Sequence, residues 1–204
     1  MIKTAVTLLL VVVFLGQQGT LRRTVAFTKT LQQVESNRFS QGAGVVAQKQ
    51  DAVEQFEHLA SLIREDRIKE AEAQLTRILN AKPNHPVALN LMGTIRAKQG
   101  RVNEAEGLFL RAIRSDNQFA GAHMNLAYIY LLQRAPEKAI GQFKDVIGLE
   151  PDNSEATEKL ADLLLSQKQL DECIRLIEQQ RKSRSISPTL LVTLGDAYLA
   201  KGAQ

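Results

Sequence analysis

The chain has 204 residues, is 44% hydrophobic but only 5% aromatic, lacks tryptophan and carries a formal net charge of +4. That charge is uneven: the first 50 residues hold Lys3, Arg22, Arg23, Lys29, Arg38 and Lys49 against Glu35 alone, whereas the remainder holds 20 basic against 21 acidic residues. A near-neutral body without interleaved basic and aromatic residues argues against nucleic acid as a partner, and the lone cysteine, Cys173, cannot staple a fold.

At the amino terminus Met1, Ile2 and Lys3 precede an apolar run from Ala5 to Leu15, interrupted by Thr7 and closed by Gly16, Gln17 and Gln18. A short positive region before about a dozen apolar residues predicts a targeting segment over residues 1–19, shorter than the roughly 20 residues of a spanning helix. No small-x-small cleavage triplet follows closely, so a retained membrane anchor stands beside a removed signal peptide. Arg22, Arg23 and Lys29 behind the run favour a cytoplasmic body by the positive-inside rule, while a lysine-led hydrophobic start favours export. The expectation is a protein exported to a periplasm or medium, or anchored in a membrane by its N-terminus. Residues 20–51 read as a linker containing Gly42 and Gly44; Phe27, Leu31 and Val34 share one helical face, so part of it is alternatively a helix.

From residue 52 onward the chain repeats itself. Gly93, Ala127, Ala161 and Gly195 stand 34 residues apart, beside a second ladder of Ala71, Ala105, Ala139 and Cys173 with the same step. Bulky apolar residues keep the period at Met92, Leu126, Leu160 and Leu194, and at Leu75, Phe109, Phe143 and Ile177. Pro83, Asn117, Pro151 and Ser185 place a helix stop or turn former at the end of each unit. A period of this length is one helix-turn-helix unit, which buries its apolar face only by stacking on neighbours. Small residues at fixed places let the paired helices approach closely; at Gly93 and Gly195 the cost of a mid-helix glycine is offset if bulk from the next unit fills the gap. Pro136 fits the first turn of a helix, where its missing N–H costs nothing.

At these residues the sequence resembles the tetratricopeptide repeat (TPR) family. The resemblance implies an all-α, right-handed solenoid of antiparallel helix pairs, with an N-terminal hydrophobic helix and linker ahead of it. About four units, 52–85, 86–119, 120–153 and 154–187, are followed by a partial one at 188–204. The match is strongest in the second and third units. Leu59 in the first unit replaces a small residue, and Gln180 and Arg181 in the fourth replace apolar ones.

Catalytic and metal chemistry leave no signal: His58, His85 and His123 are not spaced as ligand pairs, and no Gly-rich phosphate loop is present. No cofactor is expected, and no enzyme activity. His123 reads as a partly buried structural residue, Cys173 as an alanine-sized hydrophobe whose reactivity would need a pKa depressed by nearby Arg175, and the Glu65–Asp66 and Glu70–Glu72 clusters as solvated charge.

The family resemblance implies that first helices line a concave partner-binding face. Its positions here include Asn90, Thr94, Met124, Asn125, Tyr128, Leu131, Glu158 and Asp162, an apolar centre with an acidic end suited to a peptide carrying an apolar anchor and basic groups. The carboxylate clamp of chaperone-binding relatives is largely missing, with Asn125 matching and Glu155 opposing it, so acidic C-terminal peptides are not expected to bind tightly. At the carboxyl end Leu191, Leu194, Gly195 and Tyr198 form one further helix, read either as a cap, helped by Thr189, Thr193, Asp196 and Lys201, or as a surface for self-association. The sequence therefore reads as a non-enzymatic scaffold for a peptide or protein partner, exported or membrane-tethered, in cell-envelope assembly, secretion or surface-polymer export. The alternatives are a subunit docked permanently in a membrane-associated complex, or the N-terminal part of a larger protein with a catalytic domain downstream.

Overall fold

Every described element is a helix, and the helix starts keep time with the sequence period. The computed structural model describes residues 51–183 and 186–202; the expected targeting segment, nearly all of the linker and Ser185 lie outside the described residues. The chain divides into two units, Met1–Gln55 and Phe56–Gln204, and the architecture given is that of the second. The described helices are α1 (51–64), which crosses the boundary at Gln55, and, within the second unit, α2 (Ile68–Ala81), α3 (Pro86–Lys98), α4 (Val102–Ser115), α5 (Ala120–Leu132), α6 (Pro136–Leu149), α7 (Ser154–Ser166), α8 (Leu170–Ser183) and α9 (Pro188–Gly202). Ile68, Val102, Pro136 and Leu170 begin second helices at 34-residue steps, and Pro86, Ala120, Ser154 and Pro188 begin first helices at the same step. The fold is thus an all-α solenoid of antiparallel helix pairs.

The turns inside the pairs are copies of one another. Asp66, Gly100, Arg134 and Lys168 all take positive φ, at 61°, 73°, 56° and 57°. The next residue's N–H reaches back six residues inclusively in each case: Arg67 to the Leu62 carbonyl (2.9 Å), Arg101 to Arg96 (2.9 Å), Ala135 to Tyr130 (2.8 Å) and Gln169 to Leu164 (2.8 Å). These are Schellman caps, which satisfy the orphan carbonyls of a helix end. Only Gly100 adopts the left-handed conformation without a side-chain penalty, so three of the four turns are held by packing against local preference.

Between units, Pro83, Asn117 and Pro151 lie in turns, and His85 and Asn153 cap the helices that follow by accepting from Ala88 N–H (3.4 Å) and Ala156 N–H (2.9 Å). Pro136 opens α6, with Glu137 in the first turn near the positive end of the helix dipole.

Both ladders line the core. Ala71, Ala105, Ala139 and Cys173 are fully buried, as are Ala127 and Ala161, and Leu75, Phe109, Phe143 and Ile177 pack beside them. A Cβ added at Gly93 would lie 2.7 Å from the Phe109 ring, so this glycine makes room for that side chain. Gly195 departs from the expectation: it is exposed, and a Cβ there would meet nothing within 4 Å.

Two other expectations are corrected by polar pairing. Glu72 is not merely solvated; it meets Arg96 at 2.7 Å across α2 and α3. Thr193 does not face outward as a cap but is buried, donating to Asp162 (3.3 Å) and to the Thr189 carbonyl (3.1 Å). Cys173 is the buried hydrophobe expected: burial, followed by the charge of Asp162, pushes its thiol up to about 11, and Sγ–H points to the Ala161 carbonyl at 3.5 Å. His123 is buried as expected, with Nδ1 2.9 Å from Gln142 Oε1 and Nε2 3.3 Å from the Asn117 carbonyl. Gln180 tolerates burial by donating to the Pro151 carbonyl at 3.4 Å.

Candidate functional site

The exposed side of the first helices α3, α5, α7 and α9 is the surface on which the sequence places a partner. In α3 Asn90 is buried, and Thr94 donates back to the Asn90 carbonyl at 3.1 Å. One period on, in α5, Asn125 Nδ2 donates to Asn90 Oδ1 at 2.9 Å, which joins the second unit to the third. Met124, Tyr128 and Leu131 are half-buried against the core cluster. Tyr128 stands edge-on to Phe143, with ring centroids 5.8 Å apart and planes at 88°, and its hydroxyl donates to Glu155 Oε1 at the start of α7. Burial, then the hydrogen bond and charge of Glu155, push the Tyr128 hydroxyl up to about 12, so it remains a donor at neutral pH.

The acidic end is engaged in the same way. Glu158 accepts from Ser187 Oγ at 2.6 Å and Asp162 from Thr193 Oγ1 at 3.3 Å, both reaching toward α9. Of the eight expected residues, Asn90, Asn125, Tyr128, Glu158 and Asp162 are therefore linked from one first helix toward the next, whereas Thr94 bonds within α3. Successive first helices lie close enough for short polar side chains to span them, and buried polar atoms find partners. What this side still offers is the second lone pair and remaining charge of Glu155, Glu158 and Asp162, the accessible edges of Met124, Tyr128 and Leu131, and Leu132, which is 67% exposed.

Spacing within one helix does not reveal these links, because the partners are 27 to 35 residues apart. Another column at the same period carries equivalent information. Arg96, Tyr130 and Leu164 occupy the same place in successive units: Arg96 is paired to Glu72 and Glu104 (3.6 Å), Tyr130 is buried beneath Lys138 Nζ at 5.3 Å from its ring centroid, and Leu164 is fully buried. Among the described residues no group of three or more His, Cys, Asp or Glu is placed to hold a metal ion, and no helix is long and apolar enough to cross a membrane.

Comparison with known proteins agrees with the helical-repeat architecture. One sequence profile described as a tetratricopeptide repeat matches residues 56–118 and 90–154, and a second so described matches residues 130–185. No curated protein matches the sequence. Among solved structures, MamA is 22% identical with a TM-score of 0.59, the match covering 71% of this chain and 79% of that one. A chain of Naa15/Naa10 bound to HypK-THB is 20% identical with a TM-score of 0.64, over 72% of this chain and 22% of its own length. YrrB, described as a TPR protein with an unusual peptide-binding site, is 15% identical with a TM-score of 0.53, over 71% and 83%. At these identities the likeness is one of fold. Repeats of this kind serve as scaffolds that bind protein or peptide partners. The matched span, the 34-residue step of the helices and the buried small-residue ladders together place the chain in the tetratricopeptide repeat family.

Proposed function

We propose that the chain is a non-enzymatic adaptor that holds an extended or helical segment of a protein partner on its first-helix side. Asn90, Thr94, Met124, Asn125, Tyr128, Leu131, Glu158 and Asp162 form the contact region. The observation that supports this reading is the exposed apolar Leu132 on α5 together with Glu155, Glu158 and Asp162 on the next first helix, α7, which suits an apolar anchor flanked by basic groups. We place the adaptor outside the cytoplasm or at a membrane, held by the hydrophobic residues 1–19, in envelope assembly, secretion or surface-polymer export; the support is the character of that leader and the family's scaffold role.

Proximity labelling from tagged full-length protein, repeated with Leu132→Glu and with Tyr128→Ala plus Asp162→Lys, tests the site. The variants should lose the labelled partners while circular dichroism stays helical; unchanged partners would move the site elsewhere. Alkaline extraction of membranes tests the anchor, since a retained anchor keeps the protein in the pellet.

One observation favours the second reading, a subunit docked permanently in a complex or self-associated. Leu191, Val192, Tyr198 and Leu199 on α9 are each at least half exposed, an apolar side larger than scattered surface residues. Sedimentation at several concentrations separates the two: a concentration-dependent mass abolished by Leu199→Glu supports self-association, and a constant monomer mass opposes it.

A further inference from the structure

A second surface, between the far side of α3 and α4, has the opposite charge. Met92 and Arg96 are two residues after Asn90 and Thr94, about 200° around α3, and so face away from the first-helix side. With Gly107, Leu108, Arg111 and Arg114 of α4 they line a cleft of about 510 Å³. A neighbouring cleft of about 400 Å³ is lined by Asn84, Arg111, Arg114 and Ser115, so the two arginines stand in the wall between them.

The charge in this groove is only partly compensated. Glu104, its carboxylate, is held by Arg101 at 2.6 Å and Arg96 at 3.6 Å, and Arg96 also meets Glu72. Arg111 spends one N–H on the Pro83 carbonyl at 2.9 Å, which neutralises nothing, and among the described residues Arg114 has no ion-pair partner. Two exposed guanidinium groups thus border a floor of half-buried Leu108, with the buried Met92 beneath it, beside a Gly107 that adds no side chain. Two periods later the equivalent cleft, of about 320 Å³, carries Arg175 where Gly107 stands, Gln179 where Arg111 stands and Leu164 where Arg96 stands, with its Lys144 satisfied by Glu172 at 2.6 Å. That cleft keeps a basic residue at Arg175, and Lys182 stands where Arg114 does, but it has no counterpart of Arg111, so the side-by-side arginine pair is particular to this unit.

We infer that the groove between Met92 and Arg114 binds an acidic peptide segment, seating an unbranched or leucine-sized apolar side chain against Leu108 while flanking carboxylates pair with Arg111 and Arg114. The planar guanidinium fork donates two parallel hydrogen bonds to a carboxylate. Single-stranded nucleic acid fits less well, because its affinity depends on aromatic stacking platforms and no aromatic residue lines either cleft. The site is separate from the first-helix side, and the two can succeed or fail independently.

The test uses the full chain in mild detergent and a fluorescein-labelled peptide with one leucine among aspartates and glutamates. The peptide is capped at both ends, so no terminal carboxylate takes part. Anisotropy should show binding that weakens with added salt. Arg114→Glu should cost at least about tenfold in affinity. Gly107→Tyr should block the floor to a similar extent, and since a Cβ at Gly107 meets nothing within 4 Å the helix has space for it. Amide shifts should fall on α4 near Leu108, Arg111 and Arg114. No binding at millimolar peptide, shifts confined to Asn90, Tyr128 and Asp162, an affinity unchanged in both variants, or equal or tighter binding of a single-stranded oligonucleotide of the same charge would each overturn the assignment.

Discussion

Gly93 and Gly195 hold the same place in units three periods apart, yet they do different things. At Gly93 the Phe109 ring occupies the space a side chain would take, whereas Gly195 faces open surroundings. A small residue in a repeat thus acquires its purpose from the neighbour that fills it; where no described residue does so, only the backbone-entropy cost of glycine remains. The same contrast separates the two regions: Phe109 is 1% exposed in the middle of the array, and Tyr198 on α9 is 50% exposed.

The largest expected effect tests that asymmetry directly. Phe109→Ala should lose about 3–5 kcal/mol by removing a buried ring and leaving a cavity, while Tyr198→Ala should stay within about 0.5 kcal/mol, both by denaturant titration. Similar losses for the two would mean that α9 is covered in solution. Next come the glycines themselves. Gly93→Ala should destabilise by about 1–2 kcal/mol, since overpacking against a ring that cannot retreat outweighs the gain in helix propensity. Gly195→Ala should stabilise by about 0.5–1 kcal/mol, and a loss there would reveal an occupant of the open side.

The left-handed turns make a smaller contrast. Gly100→Ala should lose about 1 kcal/mol and Lys168→Gly should gain about 0.5 kcal/mol or less, relief of the left-handed strain being partly cancelled by unfolded-state entropy. Equal effects would show that φ near 57° at Lys168 carries little strain.

The smallest effect concerns pH at the first units. His85 stacks on Phe56 at 4.7 Å between ring centroids, and its Nδ1 caps α3. Burial, and then Lys82, hold its imidazole below the ordinary 6.5, so the folded chain favours the neutral ring that can accept from Ala88 N–H. The unfolded chain therefore takes up a proton first as pH falls. This contribution is complete above 6.5 and is lost as pH drops through the lower folded value. A melting temperature that declines below pH 6.5 in the native chain, and declines less in His85→Asn, is the expected result; parallel profiles would assign the pH dependence elsewhere.

Much of the architecture was readable from residue identity, because a hairpin that must stack on copies of itself repeats its small and large residues at one period. Ala105 and Phe109, Ala139 and Phe143 announce their burial by that recurrence, and Pro136 and Pro151 announce a helix start and a turn. Three turn positions were not readable. Asp66, Arg134 and Lys168 lack the glycine that signals a left-handed cap, and only the packed pair of helices imposes the conformation.

The candidate site divides along the same line. That Asn90, Tyr128, Glu158 and Asp162 share a side follows from helical spacing within a recognised repeat. That Asn125 bonds Asn90, Tyr128 bonds Glu155 and Ser187 bonds Glu158 depends on distances between helices, which no periodicity contains. Periodicity within the chain set the number, phase and inward faces of the helices, because burial must recur wherever the unit recurs. The neighbour facing each side chain, and hence whether Gly195 is filled, Arg114 neutralised or Asp162 free, was decided only when the helices were brought together in space.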